Sequence, residues 1–207
     1  MRQLMATTFL TLDGVMQAPG GPGEDDDGGF QYGGWSVPYW DDVMMEAMGR
    51  YTSSPFSMVL GRRTYDVMAA YWPNASEEEG AGVFNNATKY LASRGTPNMI
   101  WQNTVHLQGN AAEALAALKE EDGPELQVHG SSNLLQTLLA TPGLVDYLRL
   151  WIFPVTVGSG KRLFGDGVLP VGWKLVDHVT ATTGVFIATY EPTGPVPIGS
   201  FDHLPES

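Results

Sequence analysis

One local pattern occurs twice in this chain and restricts the folds that the chain can adopt: a short expected strand leads into a glycine, and a segment with helical character follows. The first copy has an apolar run at residues 58–60 and then Gly61, and the second has an expected strand at residues 126–129 and then Gly130. A strand that leads through a glycine into a helix is a building unit of α/β proteins. Two such units in one domain are what a chain needs to hold a long diphosphate ligand from both ends.

The first glycine turn has the chemistry of an anion site. Gly61 lets the backbone approach an anion, the N–H groups that begin the helix have no partners within it, and Arg62 and Arg63 add charge. Six of the 11 lysines and arginines fall in three places, which are Arg62 and Arg63, Lys89 and Arg94, and Lys161 and Arg162. This clustering favours a local anion site, although an ordinary strand-to-helix turn with solvated arginines fits the same residues.

Composition limits the class of protein. A chain of 207 residues with 43% hydrophobic and 16% charged residues is typical of one folded domain. No apolar run approaches the roughly 20 residues of a membrane span, and the first residues lack the layout of a signal peptide. We therefore expect no membrane partner and a cytoplasmic location. The net charge of −12 argues against nucleic acid as a partner.

Cysteine is absent and histidine is scattered, which disfavours a metal centre. The lack of cysteine excludes disulfides, a thiol nucleophile and a thiolate zinc site. The four histidines, His106, His129, His178 and His203, show neither HxH nor HExxH spacing. We therefore expect no metal held by the protein.

The remaining pattern completes an alternation of strands and helices. A strand is expected at residues 2–10, followed by a long loop at residues 18–35. The acidic tip of this loop, residues 24–27, we interpret as a solvated insertion in preference to a lid. Further strands are expected at residues 90–93, 99–101, 105–107 and 145–157, helices at 38–51 and 111–119, and a hairpin at 173–180 and 185–190.

These elements predict an α/β fold, with a central, mostly parallel sheet flanked by helices and an antiparallel hairpin at its C-terminal edge. One domain is expected over residues 1–190, followed by a tail rich in proline and glycine at residues 191–207.

Seven motifs in a fixed order resemble those of the dihydrofolate reductase-like superfamily. They are LDG at residues 12–14, LGRRTY at 60–65, YWP at 71–73, KYLAS at 89–93, VHGSSNL at 128–134, GLVD at 143–146 and PVTVGSGKRLF at 154–164. Within that superfamily the chain resembles the reductase domain of riboflavin-pathway deaminase-reductases and its stand-alone bacterial relatives. The resemblance spans roughly residues 1–190.

The resemblance implies a dihydrofolate reductase-like fold, NADPH as cofactor, a small-molecule substrate and a homodimer. The resemblance implies that two segments of the chain bind the adenosine side of NADPH, including the 2′-phosphate, and that a third segment binds the pyrophosphate. The adenosine side would be bound by Gly61, Arg62, Arg63, Thr64, Ser93 and Arg94. The pyrophosphate would be bound by Gly130, Ser131 and Ser132, with Asn133 beside them.

Three aspartates are candidates for the acid that hydride transfer requires. Asp13 follows the first strand where the long loop starts. Asp41 and Asp42 begin the next helix, near where dihydrofolate reductases carry their acidic residue. The alternative for Asp41 and Asp42 is helix capping, and for Asp13 it is a turn ahead of a glycine. A raised pKa would favour the catalytic interpretation.

The resemblance also implies substrate contacts. In riboflavin-pathway enzymes the loop that matches residues 158–162 lies near a substrate with a phosphorylated ribose, so Gly158, Gly160 and Lys161 are candidate substrate-binding residues. A tight turn with exposed basic residues is the alternative. Trp40 could stack on a flat heterocycle, although aromatic residues beside a helix start are more often part of the core.

We therefore predict a reductase that transfers a hydride from NADPH to a small heterocyclic or ribosylamino acceptor. Its best match is the 5-amino-6-(5-phosphoribosylamino)uracil reductase of riboflavin biosynthesis. Reduction of dihydrofolate or another pteridine is the alternative reaction. A non-catalytic protein that binds NADPH or another ligand is the alternative of a different class.

Overall fold

The computed structural model describes residues 1–201, and a single mixed sheet is its centre. His203 and residues 202–207 of the expected tail lie outside the described residues. The strands are β1 (Leu4–Thr11), β2 (Phe56–Gly61), β3 (Lys89–Ala92), β4 (Thr104–Leu107), β5 (Glu125–His129), β6 (Tyr147–Phe153), β7 (Gly172–Thr180) and β8 (Phe186–Gly194).

Within residues 1–201 the strand order is β4-β3-β2-β5-β1-β6-β8-β7. The first six strands in this order are parallel, whereas β8 is antiparallel to both β6 and β7. The prediction of a mostly parallel sheet with an antiparallel C-terminal hairpin is confirmed.

Helices cover both faces of the sheet. They are α1 (Asp42–Tyr51), α2 (Arg62–Tyr71), α3 (Ala81–Asn86), α4 (Ala111–Glu120) and α5 (Ser132–Leu139). Leucines of α4 and α5 pack with Leu4, Ala6 and Val128 on one face. Because side chains alternate along a strand, the neighbouring residues of β1 and β5 point to the opposite face, which carries α1, α2 and α3.

The face that carries α1, α2 and α3 holds two separate apolar clusters. One joins Met44 of α1 to Trp151 of β6 and Phe153 of β6. The other joins Tyr65 of α2 to Met58 of β2. Between the two clusters the central strands carry polar side chains, so this face leaves a groove where the opposite face is continuous apolar core.

Residues 99–101, predicted as a strand, form no strand in the structure. The Trp101 N–H donates to the Tyr65 hydroxyl at 2.9 Å, and the indole N–H donates to Asn85 Oδ1 at 2.7 Å. These contacts satisfy the polar groups of Trp101 outside a sheet, while β4 pairs in parallel with β3. Trp101 is therefore buried against Tyr65 of α2, whereas Met99 and Ile100 are exposed.

Lys89, counted among the clustered positive charges, is fully buried at the start of β3. Its ammonium group donates to the carbonyls of Asn85 (2.7 Å) and Gln102 (3.2 Å) and lies 4.2 Å from the centroid of the Trp101 ring. Burial lowers the pKa of Lys89 to about 8. Lys89 therefore belongs to the core and not to an anion site.

Three element boundaries lie four residues from the prediction: the helix expected at residues 38–51 begins at Asp42, and two strand ends differ. Strand β6 ends at Phe153, because Pro154 has no N–H with which to continue the ladder. Strand β8 continues to Gly194, four residues into the expected tail, since it pairs with β7 along that length. In the part of the chain that the structure describes, no helix is long and apolar enough to span a membrane.

Candidate active site

A cleft of about 880 Å³ opens on the face of the sheet that carries α1 and α2. The end of α1 and the start of α2 form its walls, and strands β1, β5 and β6 form its floor. Ligands of open α/β sheets bind at the carboxyl edge of the strands, where this cleft lies. Most of the residues predicted to bind a ligand line it: Gly61, Arg62, Arg63, Thr64, Ser93, Arg94, Gly130, Ser131, Ser132, Asn133 and Lys161.

The two strand–glycine–helix units meet in this cleft. The Gly61 N–H donates to Ser131 Oγ at 3.0 Å, and the hydroxyls of Thr64 and Ser131 are 2.6 Å apart. A Cβ at Gly61 would lie 2.5 Å from Ser131 Oγ, so only glycine permits this approach. Gly130 and Ser131 both have positive φ, 69° and 67°. The N-termini of α2 and α5 therefore lie side by side, which suits a ligand with two phosphates.

Two arginines at the cleft differ in their partners. Arg62 forms an ion pair with Asp66, one turn along α2, at 2.8 Å. Arg94 is exposed at the end of β3, and its guanidinium has no hydrogen-bond partner within residues 1–201. Arg94 is thus available to a phosphate without first breaking an ion pair.

The acidic tip of the long loop lies at the cleft and binds two of its cations. Asp25 and Asp27 each pair with Lys161 (2.5 and 2.7 Å) and also with Arg63. The hydrogen bonds from Arg63 and Lys161 lower the pKa of Asp27 to about 2. The interpretation of this tip as a solvated insertion is therefore wrong, because its carboxylates occupy positive groups that an anionic ligand would use.

Glu24 holds the tip in shape. Its carboxylate accepts hydrogen bonds from the N–H groups of Gly20 (2.6 Å) and Gly21 (3.1 Å). Burial nevertheless raises the pKa of Glu24. The loop is therefore folded back on itself just before Asp25 and Asp27, which bind the cations.

The floor of the cleft carries four polar residues that motif reasoning did not single out for the site: Thr7, Gln127, His129 and Arg149. The His129 Nε2–H donates to Gln127 Oε1 at 3.1 Å, and Gln127 Nε2 donates to Glu125 Oε1 at 2.8 Å. Burial and the charge of Arg149 lower the pKa of His129 to about 4, so its ring is uncharged at neutral pH. A signal was present in the sequence, since Gln127, His129 and Arg149 interrupt strands whose other residues are mostly apolar.

Asp13, predicted as a catalytic candidate, does not line the cleft. Its carboxylate accepts hydrogen bonds from Thr11 Oγ1 (2.6 Å) and the Gly158 N–H (2.8 Å), and Arg162 donates to its carbonyl. The bond from Thr11 is the main cause that lowers the pKa of Asp13. These contacts tie the end of β1 to the loop after β6, which is the turn role named as the alternative.

Asp41 and Asp42 also lie outside the cleft lining. Asp41 caps α1 by accepting from the Met44 N–H at 2.9 Å, and it accepts from Thr182 Oγ1 at 2.6 Å. The Thr182 bond is the main cause that lowers the pKa of Asp41. Asp42 is exposed in the first turn of α1. The structure therefore offers no cleft position in support of catalysis by these two residues.

Three of the predicted substrate-binding residues, Trp40, Gly158 and Gly160, are absent from the cleft lining. Trp40 packs against Phe9 and Trp151, with both ring-centroid distances 5.9 Å, so it serves the core. Gly158 and Gly160 have φ of 81° and 135° and shape the turn that brings Lys161 to the cleft. Within residues 1–201 no group of three histidines, aspartates or glutamates is placed to hold a metal.

A family model described as the RibD C-terminal domain matches residues 2–187. The chain belongs to the RibD C-terminal domain family. The resemblance inferred from the seven motifs is therefore confirmed. Uncharacterized protein YyaP of Bacillus subtilis strain 168 is similar to this RibD C-terminal domain, with 28% identity over 197 residues, 93% of this chain and 96% of that protein.

Solved structures share the fold of this RibD C-terminal domain. A Shewanella sp. PV-4 protein assigned by its name to riboflavin biosynthesis has a TM-score of 0.64 at 13% identity, covering 92% of this chain and 99% of that one. Enterococcus faecalis dihydrofolate reductase, solved in complex with NADP(H) and RAB-propyl, has a TM-score of 0.58 at 16% identity, covering 92% of this chain and 96% of that one. A pyrimidine reductase-like protein of Corynebacterium diphtheriae has a TM-score of 0.59 at 15% identity, covering 92% of both chains. The predicted dihydrofolate reductase-like fold is confirmed, and family and fold together support an oxidoreductase.

Proposed function

We propose that this protein is an NADPH-dependent reductase that transfers a hydride to a small heterocyclic or ribosylamino acceptor. The observation that carries the proposal is the contact between the two glycine turns, in which Thr64 and Ser131 bring the N-termini of α2 and α5 together. Paired helix N-termini and free N–H groups favour the two phosphates of a dinucleotide.

The residues of the cleft fit NADPH at three points. The missing Cβ at Gly61 lets Ser131 approach the start of α2, and Gly130, Ser131 and Ser132 would hold the pyrophosphate there. Gly61 through Thr64, with Ser93 and Arg94, which has no partner within residues 1–201, would hold the adenosine side and its 2′-phosphate. A guanidinium with no prior ion pair gives the 2′-phosphate a charge-assisted partner that NADH could not use.

NADPH, when bound, supplies a hydride with its two electrons to an electrophilic carbon of the acceptor, and a proton from an acid or from water completes the reduction. The chain itself holds the acceptor in the cleft, excludes water and aligns the acceptor. Phe9 and Met48, both only partly buried, give the cleft apolar surface for a flat ring, and the polar floor gives it donors. A uracil that carries a phosphoribosylamino group presents both a flat ring and polar groups, and this match supports the riboflavin-pathway substrate.

The proposal is tested by titrating the purified protein with NADPH and with NADH while nicotinamide fluorescence is recorded. NADPH should bind about tenfold or more tightly than NADH, because only NADPH carries the 2′-phosphate. Arg94→Ala and the double variant R62A/R63A should reduce this preference. Lys174→Ala is the matched control, because Lys174 is an exposed lysine paired with Glu191 on the edge hairpin, away from the cleft.

Lack of binding of either nucleotide would contradict the proposal. Binding of NADPH without turnover of any acceptor would instead favour the non-catalytic protein. A screen that begins with riboflavin-pathway intermediates and pteridines separates the two candidate reactions. The homodimer and the cytoplasmic location stay predictions of the family resemblance.

A further inference from the structure

Arg149 is a cation on the floor of the cleft, in the middle of the sheet. It lies on β6 opposite Thr7 of β1 on one side and Thr189 of β8 on the other. The residue is half-buried, and its side chain lines the cleft. A charged residue at this depth is unusual unless it is paired, so its partners decide its role.

The guanidinium of Arg149 is held in one orientation. Its Nε donates to Thr189 Oγ1 at 3.1 Å, and its Cζ lies 3.5 Å from the centroid of the Tyr51 ring. Tyr51 is fixed in turn, because its hydroxyl donates to Asp177 Oδ2 at 3.0 Å. The fork of Arg149 is therefore organised before any ligand binds, which reduces the entropy that binding would cost.

The two terminal amino groups of Arg149 have no partner in the part of the chain that the structure describes. Neither donates a hydrogen bond to a residue of that part, and no carboxylate forms an ion pair with the guanidinium. Neither group is sealed from solvent, since every sealed side-chain nitrogen of the described residues has a partner. The nearby carboxylates, Asp177 and Glu125, act on Arg149 only from a distance and are bonded to Tyr51 and Gln127.

Arg149 thus differs from the other cations of the cleft. Arg62 is paired with Asp66, and Arg63 and Lys161 are paired with the acidic tip. Arg94 has no ion-pair partner among residues 1–201 but is exposed. Burial disfavours the charged form and lowers the pKa of Arg149, yet an arginine stays protonated in proteins. A half-buried positive charge without a counterion is costly, and an anion on its free side would remove that cost.

We propose that Arg149 anchors the acceptor by binding an oxyanion of it, a carboxylate or a phosphate, through its two terminal amino groups. The inference rests on the proposed function, because it assigns the acceptor to a class that the reductase would reduce. Phe9 and Met48, both only partly buried in the cleft lining, supply apolar surface for the rest of the acceptor. The acceptor is therefore a small, partly flat molecule with one negative group that points to the sheet.

Calorimetric titration with two pairs of probes tests this inference. Orotate and uracil differ by a carboxylate, and ribose 5-phosphate and ribose differ by a phosphate. The wild-type protein should bind the charged member of at least one pair about tenfold or more tightly, as expected of a bidentate arginine contact. Which pair shows the preference distinguishes a carboxylate acceptor from a phosphate acceptor.

Three variants locate the preference. Arg149→Met should abolish it, Arg149→Lys should weaken it because a lysine lacks the fork, and Lys174→Met should leave it unchanged. The lysine variant decides the matter if the methionine variant does not fold. Absent or equal binding of all four probes by the wild type would overturn the inference. The inference would also be overturned if the folded Arg149→Met variant kept the preference for the charged probe, or if Arg149→Lys showed the full wild-type preference.

The outcome is separable from that of the proposed function. NADPH affinity should be unchanged in Arg149→Met, since the residues proposed to bind NADPH are elsewhere in the cleft. A protein that fails to bind NADPH but loses its anion preference in Arg149→Met would contradict the reductase and retain the anion site. A protein that binds NADPH and shows no anion preference would retain the cofactor site and contradict the role of Arg149.

Discussion

Gly61 shows at the scale of one residue why the two glycine turns can meet. A Cβ at this position would lie 2.5 Å from Ser131 Oγ, so Gly61→Ala must push the start of α2 away from α5. We expect NADPH affinity to fall about tenfold or more in this variant, measured by nicotinamide fluorescence. Gly49→Ala is the control, because Gly49 lies in α1 with no atom near its added Cβ.

The control has an expected result of its own. Gly49→Ala should leave NADPH affinity unchanged and stabilise the protein by about 0.5–1 kcal/mol in urea unfolding, since alanine favours a helix over glycine. Equal NADPH affinity in Gly61→Ala and the wild type would show that the contact between the turns is not needed for the cofactor.

His129 predicts a pH dependence of stability. Its pKa is about 4 in the folded protein, below its ordinary value of 6.5, so between these values the unfolded chain binds the proton more strongly. The contribution of His129 to the free energy of unfolding should therefore be fully present above pH 6.5 and should decrease as the pH falls towards 4. Glu24, whose pKa burial raises, acts in the opposite direction.

The contribution of His129 is isolated by the difference between the wild type and His129→Gln, in which the amide can still donate to Gln127. Urea unfolding at several pH values between 4 and 7 should give a smaller loss of stability on acidification in the variant. Parallel curves for the two proteins would show that His129 does not titrate in this way.

Residue types alone did not reveal which charges lie in the cleft. Lys89 and Lys161 look alike in the sequence, yet one is buried in the core and the other lines the cleft. Asp13 and Asp41 were plausible acids until their hydrogen bonds to Thr11 and Thr182 were known. These partners are far apart in sequence or belong to turns, and motif spacing carries no information about them.

At the scale of elements, the acidic loop acts as a counterion for the cleft. Asp25 and Asp27 bind Arg63 and Lys161, so an anionic ligand must compete with them. The double variant D25N/D27N should bind NADPH about threefold or more tightly at low salt, because two cations become free. The gain should shrink as salt is added, which a fluorescence titration series at increasing ionic strength would record.

Asp26 provides the control for the loop, since it is exposed and forms no ion pair within residues 1–201. Asp26→Asn removes one negative charge from the tip, against two in D25N/D27N, and frees neither Arg63 nor Lys161. A gain in binding free energy in Asp26→Asn that is half of the gain in D25N/D27N would attribute the effect to net charge and not to the pairs.

The elements that sequence predicted best are those whose pattern is local. Both strand–glycine–helix units were placed correctly, because an apolar run, a glycine and a helical segment are each visible within a short window. The strand predicted at residues 99–101 was wrong. Three apolar residues resemble a strand when their contacts are unknown, but Trp101 bonds to Tyr65 of α2 and does not join the sheet. The pairing of strands depends on residues that are far apart in sequence, so the local sequence pattern did not predict it.

At the scale of the whole molecule, the site depends on the order of the strands. More than 100 residues of sequence separate Thr7 from both His129 and Arg149. The register of β5, β1 and β6 nevertheless aligns the three residues on one face of the sheet. The sequence predicted the glycine turns and three of the four arginines that line the cleft, Arg62, Arg63 and Arg94, but not Arg149. It did not predict the polar floor, because that floor exists only once three strands are placed side by side.

The transfer of a hydride is the central claim, and its direct test uses NADPH with deuterium at the transferred position of the nicotinamide. The protein is incubated with this NADPH and a panel of acceptors, namely 5-amino-6-(5-phosphoribosylamino)uracil, dihydrofolate and a second pteridine. We expect oxidation of NADPH only with an acceptor present, and one deuterium in the reduced product by mass spectrometry. Tight binding of NADPH with no deuterium in any product would contradict the account of this protein as a reductase of these acceptors.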